Sequence, residues 1–433
     1  MGGASAKVLE CLREYESPNI LFREEDGSWP IVWESARGCR VRDAEGREYL
    51  DLTAAFGVAS AGHANPRVVA AGARQMRRLL HAMGDVHPHA KKAELARRLS
   101  QITFERWSCG KAKTIFTNSG FEAVESALKT ALLATGRRKV LAFAGGYHGL
   151  GYGALNATHR EHFRLPFESQ LGRFAVFETF PRDAAEIPKL KKRIAALLER
   201  GEIGAAIVEP VQVRGGINVP PPDFLPALRE LCDEAGALLI FDEVYTGFGR
   251  TGKWFACEHW KTAPDLVCLG KALTGGFPLS ACVGRAKVID EAWPRSTGEA
   301  IHTSTFLGHP VGCAMALAQI DEIERRKLPE RASALGEFLM KELELRIQHE
   351  TLRVGVRGLG LLAGIEVRGT DGSPATKFVW KVIREMLRRG FILLPEGADG
   401  NVISLSPPLT ISRREISECV SVLGELLRKT RGG

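Results

Sequence analysis

The chain has 433 residues, a formal net charge of +8, 45% apolar and 25% charged residues, which is enough to bury a large core and ordinary for a globular protein. No run of 18 apolar residues opens the chain, and Met1 to Pro30 lacks the basic-then-apolar order of a signal peptide; this argues against membrane insertion and secretion and leaves the cytoplasm as the expected compartment. Basic residues alternate with acids, Lys189 to Arg193 and Arg325 to Lys327 being short runs, and the nine cysteines show no repeated short spacing, so neither a nucleic-acid face nor a disulfide or zinc scaffold is expected.

In chain order, Ile31 to Leu52 alternates apolar and polar residues around Glu45-Gly46-Arg47 and predicts a small meander. Val68, Val69, Gly72, Met76, Leu79 and Leu80 recur at helical spacing and predict a helix from Pro66 to Met83. A second helix is predicted from Phe121 to Ala134, with Glu122 in its first turn and Glu125 spaced to pair with Lys129. Short apolar runs at Val140 to Phe143, Ala205 to Val208, Leu238 to Phe241, Leu266 to Leu269 and Ser280 to Val283 then read as buried strands. Helices are predicted at Ala185 to Glu199 and Phe224 to Glu234, so this part is an α/β core. A helix from Pro310 to Arg326 leads out of it. Further helix, strands around Gly355 to Val367, a helix from Lys377 to Arg389, a strand near Ile392 and a helix from Arg413 to Lys429 make a smaller α+β unit. Gly358, Gly360 and Gly364 read as turn and strand residues, because no Walker lysine or dinucleotide helix follows them. The expected division is residues 1–60 as an N-terminal segment of the small domain and entrance, 61–328 as the large domain and 329–433 as the small one.

Four places carry chemistry. The buried run ending in Asp242-Glu243 puts carboxylates at the sheet's carboxyl edge, where α/β proteins bind ligands. Lys271, between Gly270 and Gly275-Gly276 after a strand, is placed for close approach of a ligand and for the partial desolvation that a Schiff-base nucleophile needs. Asn118-Ser119-Gly120-Phe121 at a helix start offers amides with no internal acceptor, which suit a phosphate or merely a cap. Tyr147-His148-Gly149, after Gly145-Gly146, adds an aromatic face.

From Ser35 to Pro408 the chain resembles the class III aminotransferases, the ornithine and γ-aminobutyrate type among fold-type I pyridoxal 5′-phosphate (PLP) enzymes. The resemblance rests on Asn118-Ser119-Gly120 with Glu122-Ala123-Val124-Glu125, on Gly146-Tyr147-His148-Gly149, and on Val208-Glu209-Pro210 with Gln212. It is strongest in Asp242-Glu243-Val244-Tyr245-Thr246-Gly247-Phe248-Gly249-Arg250-Thr251-Gly252, followed by Gly270-Lys271-Ala272-Leu273 and Ser304-Thr305-Phe306. It implies an α/β fold with a large, mainly parallel sheet and a smaller α+β domain. The implied roles are Lys271 as the Schiff-base lysine and proton carrier, Asp242 on the pyridine nitrogen, and Ser119, Gly120 and the Phe121 amide on the phosphate. Tyr147 and Val244 would flank the ring, Tyr245 would offer its hydroxyl to the phenolic oxygen, and Glu209 would lie beside the cofactor. His148 would support backbone and cofactor geometry rather than act as the base. Thr305 would reach the phosphate of a second subunit, so a homodimer is implied.

Several positions depart from the family pattern. Phe121 replaces a threonine, Tyr245 a glutamine and His309 an asparagine. Ser404 stands at the carboxylate-binding arginine, Leu150 at the arginine of acetylornithine-type members, and Phe56 at a carboxylate-contacting tyrosine of ornithine aminotransferase. A bidentate arginine cannot be imitated by serine. The expected donor is therefore a primary amine, a diamine or an ω-amino acid, with a carbonyl or 2-oxo acid acceptor. Glu209 is a candidate for a distal ammonium, or for a bond to Gln212, and Arg160 and Arg164 are candidate carboxylate binders. A racemase or epimerase of an amino acid or amino-lactam is the alternative on the same residues, and a noncatalytic scaffold the alternative of another class. No metal is expected, since His87, His89, His159 and His162 have no accompanying carboxylate or cysteine cluster.

Overall fold

A seven-stranded sheet organises the computed structural model, which describes residues 3–24 and 29–429; the outermost residues of the expected N- and C-terminal regions lie outside the described residues. Its spatial order is Ala112–Thr117, Ser280–Arg285, Leu266–Leu269, Leu238–Asp242, Ile203–Val208, Lys139–Phe143 and Ala175–Glu178. All neighbours are parallel except Ser280–Arg285, which runs antiparallel to both of its partners. Alternation along each strand feeds two cores. Ile207, Ile240 and Cys268 meet Ala123, Val124 and Ala127 of the helix Gly120–Thr135. Leu239, Phe241 and Val267 join the core on the other face, with Ile194 and Leu228 from the helices Ile187–Leu198 and Phe224–Ala235.

The N-terminal meander comprises Trp33–Arg37, Arg40–Asp43 and Glu48–Asp51, and its last strand pairs in parallel with Phe391–Ile392. A third sheet orders Arg353–Gly358, Ala363–Arg368, Val402–Leu405 and Leu394–Glu396. Gly360 is the turn between its first two strands. It sits at φ +60, and a Cβ there would lie 2.3 Å from the Thr251 carbonyl carbon, so the position needs glycine both for its backbone and for room.

The sequence expectations differ from the structure at several places. The helix from Pro66 ends at Arg78; the apolar residues beyond it, Leu79, Leu80 and Met83, are exposed rather than a continuation of a core stripe. A helix at Ala90–Ile102 was not anticipated; it buries a narrow stripe of Leu95, Leu99 and Ile102 behind a His89 cap. The strands Ala112–Thr117 and Ala175–Glu178 were also not anticipated. Finally, Glu125 and Lys129 do not pair. Glu125 accepts the Gly153 amide at 3.0 Å, and the Lys129 ammonium lies 3.2 Å from Nδ1 of His302, so tertiary partners displace the helical one. Among the described residues no helix is long and apolar enough to cross a membrane.

Candidate active site

Five strands end on the same edge of the large sheet, and each delivers one part of the site. Thr117 leads to Ser119-Gly120, Phe143 to Tyr147-His148, Val208 to Glu209, Asp242 to Val244-Tyr245, and Leu269 to Lys271. Together they enclose a cavity of about 400 Å³ lined by Gly120, Phe121, Tyr147, His148, Leu150, Glu209, Asp242, Val244, Tyr245 and Lys271, and also by Gly149, Val213 and Arg214.

Asp242 is buried at the strand end. Its Oδ2 lies 2.8 Å from Nδ1 of the buried His148, and its Oδ1 accepts the Val244 amide at 3.1 Å. Burial works against a charged His148, but the Asp242 carboxylate outweighs it and leaves the imidazole pKa above its ordinary value. The pair thus orients Asp242, with lone pairs to spare for an N–H donor. Glu209 is buried too, and both oxygens are held by backbone amides: Tyr147 at 2.9 Å and Val213 at 3.1 Å. Burial pushes its carboxyl up to about 7. The alternative bond to Gln212 is not made, because the Gln212 amide reaches the Ala144 carbonyl and Asn218 instead.

Lys271 sits at φ +42, an αL conformation unusual for a residue with a Cβ. Among the described residues its ammonium makes no hydrogen bond or ion pair; it faces the Tyr245 ring, 4.8 Å from the centroid. Burial lowers its pKa from the ordinary lysine value, opposed in part by Asp242 and Glu209. The Tyr245 hydroxyl, expected to serve a ligand, is engaged by Ser406 Oγ at 2.9 Å, and that serine in turn donates to the Thr53 carbonyl. The ring rather than the hydroxyl therefore faces the lysine.

At the helix Gly120–Thr135 the Glu122 carboxylate takes the Asn118 and Ser119 amides and the Ser119 hydroxyl. The Gly120 and Phe121 amides, in the first turn, have no carbonyl one turn back. The Phe121 side chain stands aside, against Gly149 and Gly151. This donor set fits PLP: a buried carboxylate for a pyridinium N–H, an unpaired amine for a carbonyl, open first-turn amides for a phosphate, and Tyr147 and Val244 as walls.

The remaining expected residues lie outside this cavity wall. Phe56 is exposed, in a left-handed turn with Ala54 and Ala55 that Asp51 holds through the Thr53 and Ala55 amides. Its neighbour Gly57 packs on the Tyr245 ring. Ser404 is buried in its strand opposite Gly364 and Leu394. Arg160 covers Phe163 and donates to the Ala398 carbonyl at 3.3 Å, while Arg164 stacks on Phe177. Thr305 is exposed. Two charged residues went unanticipated. Arg214 lines the cavity with its guanidinium 5.1 Å from the Tyr147 ring centroid, and the buried Glu396 approaches it at 3.3 Å. No local motif marks either, since they come from a loop and a strand far apart in the chain.

The family model for aminotransferase class-III matches residues 21–427. Putrescine aminotransferase of Pectobacterium atrosepticum is 36% identical over 445 residues, covering 100% of this chain and 91% of that one. Among solved structures, a Bacillus anthracis aminotransferase superposes with a TM-score of 0.89 at 28% identity over 98% of both chains. A PLP-bound amine transaminase from an uncultivated Pseudomonas species gives 0.84 at 30% identity, over 96% of this chain and 98% of that one. Sequence, fold and site agree, and the chain belongs to the class III aminotransferases, fold-type I enzymes that transfer amino groups with PLP.

Proposed function

We propose that this aminotransferase takes its amino group from the terminal amine of a diamine, an ω-amino acid or a simple primary amine, and delivers it to a carbonyl or 2-oxo acid. The observation that carries this reading is the unpaired Lys271 amine, held in one cavity with the Asp242–His148 pair while Leu150 and Ser404 stand where arginine anchors are expected. When bound, PLP supplies a carbonyl that exchanges amines and a cationic ring that accepts electron density.

The residues then divide the work. Asp242 keeps a proton on the ring nitrogen, and His148 fixes that carboxylate. The Gly120 and Phe121 amides would hold the phosphate, with the Ser119 hydroxyl joining them by turning away from Glu122. Tyr147 and Val244 confine the ring and exclude water, and Glu209 positions Tyr147 through its amide rather than presenting a free charge. Lys271, desolvated and therefore more readily neutral than an ordinary lysine, would take up and return the transferred proton at its Nζ. Leu150 adds an exposed apolar edge to the cavity.

In the same reading the enzyme is a cytoplasmic homodimer whose Thr305 serves the partner's phosphate. Exposed apolar residues at Leu80, Met83, Ile301 and Phe306 support a second copy covering this region, where Thr303 Oγ1 also bonds Asp85 at 2.6 Å. Residues 1–60 and 329–433 would share the small domain, a grouping supported by the pairing of Glu48–Asp51 with Phe391–Ile392.

A donor panel tests the substrate class: a terminal diamine, a 5-carbon ω-amino acid, a monoamine and alanine, each with the same acceptor. The terminal amines should exceed alanine in kcat/KM by at least about 10-fold, the value of one missing charge-assisted contact. Preference for alanine would refute the assignment.

A further inference from the structure

Arg214 and Glu396 form a contact that neither completes. Nε of Arg214 and Oε2 of Glu396 are both buried and 3.3 Å apart, yet neither atom has a hydrogen-bond partner among the described residues. Their backbones are fixed to each other, because the Gly397 amide donates to the Arg214 carbonyl at 3.2 Å. Buried polar groups without hydrogen bonds are costly, and an off-geometry pair of this kind holds unused donor and acceptor capacity beside the reaction centre.

The local charge also favours an incoming anion. Besides Arg214, the Arg160 guanidinium and the Lys271 ammonium act on Glu396, so three cations bear on one carboxylate. Burial, opposed by Arg214, Arg160 and Lys271, pushes the Glu396 carboxyl up to about 7, so near neutral pH it is a weakened counter-ion. The guanidinium itself lies over Tyr147, on the wall shared with Lys271.

We propose that Arg214 is the specificity-determining anchor for a substrate carboxylate, and that Glu396 is its resting counter-ion, displaced when a 2-oxo acid or an ω-amino acid enters. The inference deepens the aminotransferase reading and rests on it for the identity of the acid. It accounts for a site without arginine at positions 150 and 404 that must still accept substrates of opposite distal charge. With a diamine bound the Arg214–Glu396 pair stays closed; with an acid bound a planar carboxylate takes the guanidinium in the bidentate manner that Glu396 does not achieve.

The test compares the PLP-loaded wild type with Arg214→Gln, Arg214→Lys and Glu396→Gln. Two readouts are used: the calorimetric Kd for 2-oxoglutarate, and kcat/KM for 2-oxoglutarate relative to that for an uncharged aldehyde acceptor with the same amine donor. Arg214→Gln should weaken the Kd and lower the ratio by about 50-fold, mainly through KM, the scale of a lost charge-assisted bidentate contact. Arg214→Lys should recover part of both, and Glu396→Gln should leave both intact or improve them. The aldehyde reaction in each variant reports whether it is folded. A change within about 3-fold in Arg214→Gln, well below that contact's worth, would overturn the proposal. So would equal losses in Glu396→Gln and Arg214→Gln, because the pair would then be scaffolding. If wild type turned over no amine, the aminotransferase reading would fail, while the binding comparison would still decide the role of Arg214.

Discussion

Glu243 shows how a residue beside the reacting groups is bound to the fold. It is fully buried and accepts the Ala256 amide at 2.9 Å, the Cys257 amide at 2.8 Å and the Thr246 hydroxyl. Burial nevertheless lifts its carboxyl from 4.5 to about 7, the hydrogen bonds offsetting only part of the desolvation. The folded state therefore binds the proton more tightly than the unfolded one. The contribution favours folding below pH 4.5 and is lost as pH rises through about 7. Glu243→Gln should remove that slope: between pH 5 and 8 its stability relative to wild type should rise by roughly 3 kcal/mol, whatever the offset from a changed hydrogen bond. Urea unfolding at the two pH values measures it, and parallel pH dependence in the two proteins would contradict the buried-proton account. Lys271 and Asp242 were legible in the sequence because Asp242 ends one apolar strand and Lys271 follows another with one residue between. Arg214 and Glu396 were not, since their meeting depends on packing between a loop and another sheet.

Arg250 makes the corresponding connection between elements. It is completely buried, lies in the segment after Asp242, and donates to the carbonyls of Leu361 and Pro407 in the C-terminal region. Burial lowers its pKa to about 10, which leaves it cationic at neutral pH. Arg250→Ala would orphan two buried carbonyls and open a cavity, so a loss of about 3–5 kcal/mol is expected. Chemical denaturation checks this, and a loss below about 1 kcal/mol, the range of surface substitutions, would show that the link is dispensable. Packing also explains which strands were readable. Within the large sheet the two unanticipated strands, Ala112–Thr117 and Ala175–Glu178, are its edges: the first mixes exposed and buried residues, and the second is only half-buried along its length. The interior strands Ile203–Val208 and Leu266–Leu269 are buried throughout and legible.

For the molecule as a whole, one sheet edge gathers residues from five strand ends, and the C-terminal region closes over them through Glu396, Ser406 and the carbonyls that Arg250 holds. The motifs carried the fold class and most of the cavity wall, because each motif is local. The entrance and the covering charges depend on segments distant in the chain, which no local spacing encodes. In the proposed reaction this architecture transfers an amino group through Lys271. The decisive measurement mixes PLP-loaded enzyme with a terminal diamine in the absence of any acceptor. The predicted result is one equivalent of carbonyl product per active site, renewed turnover on adding a 2-oxo acid, and no product with Lys271→Ala. Isomerisation of a chiral amine with no carbonyl product, or undiminished turnover by Lys271→Ala, would contradict it.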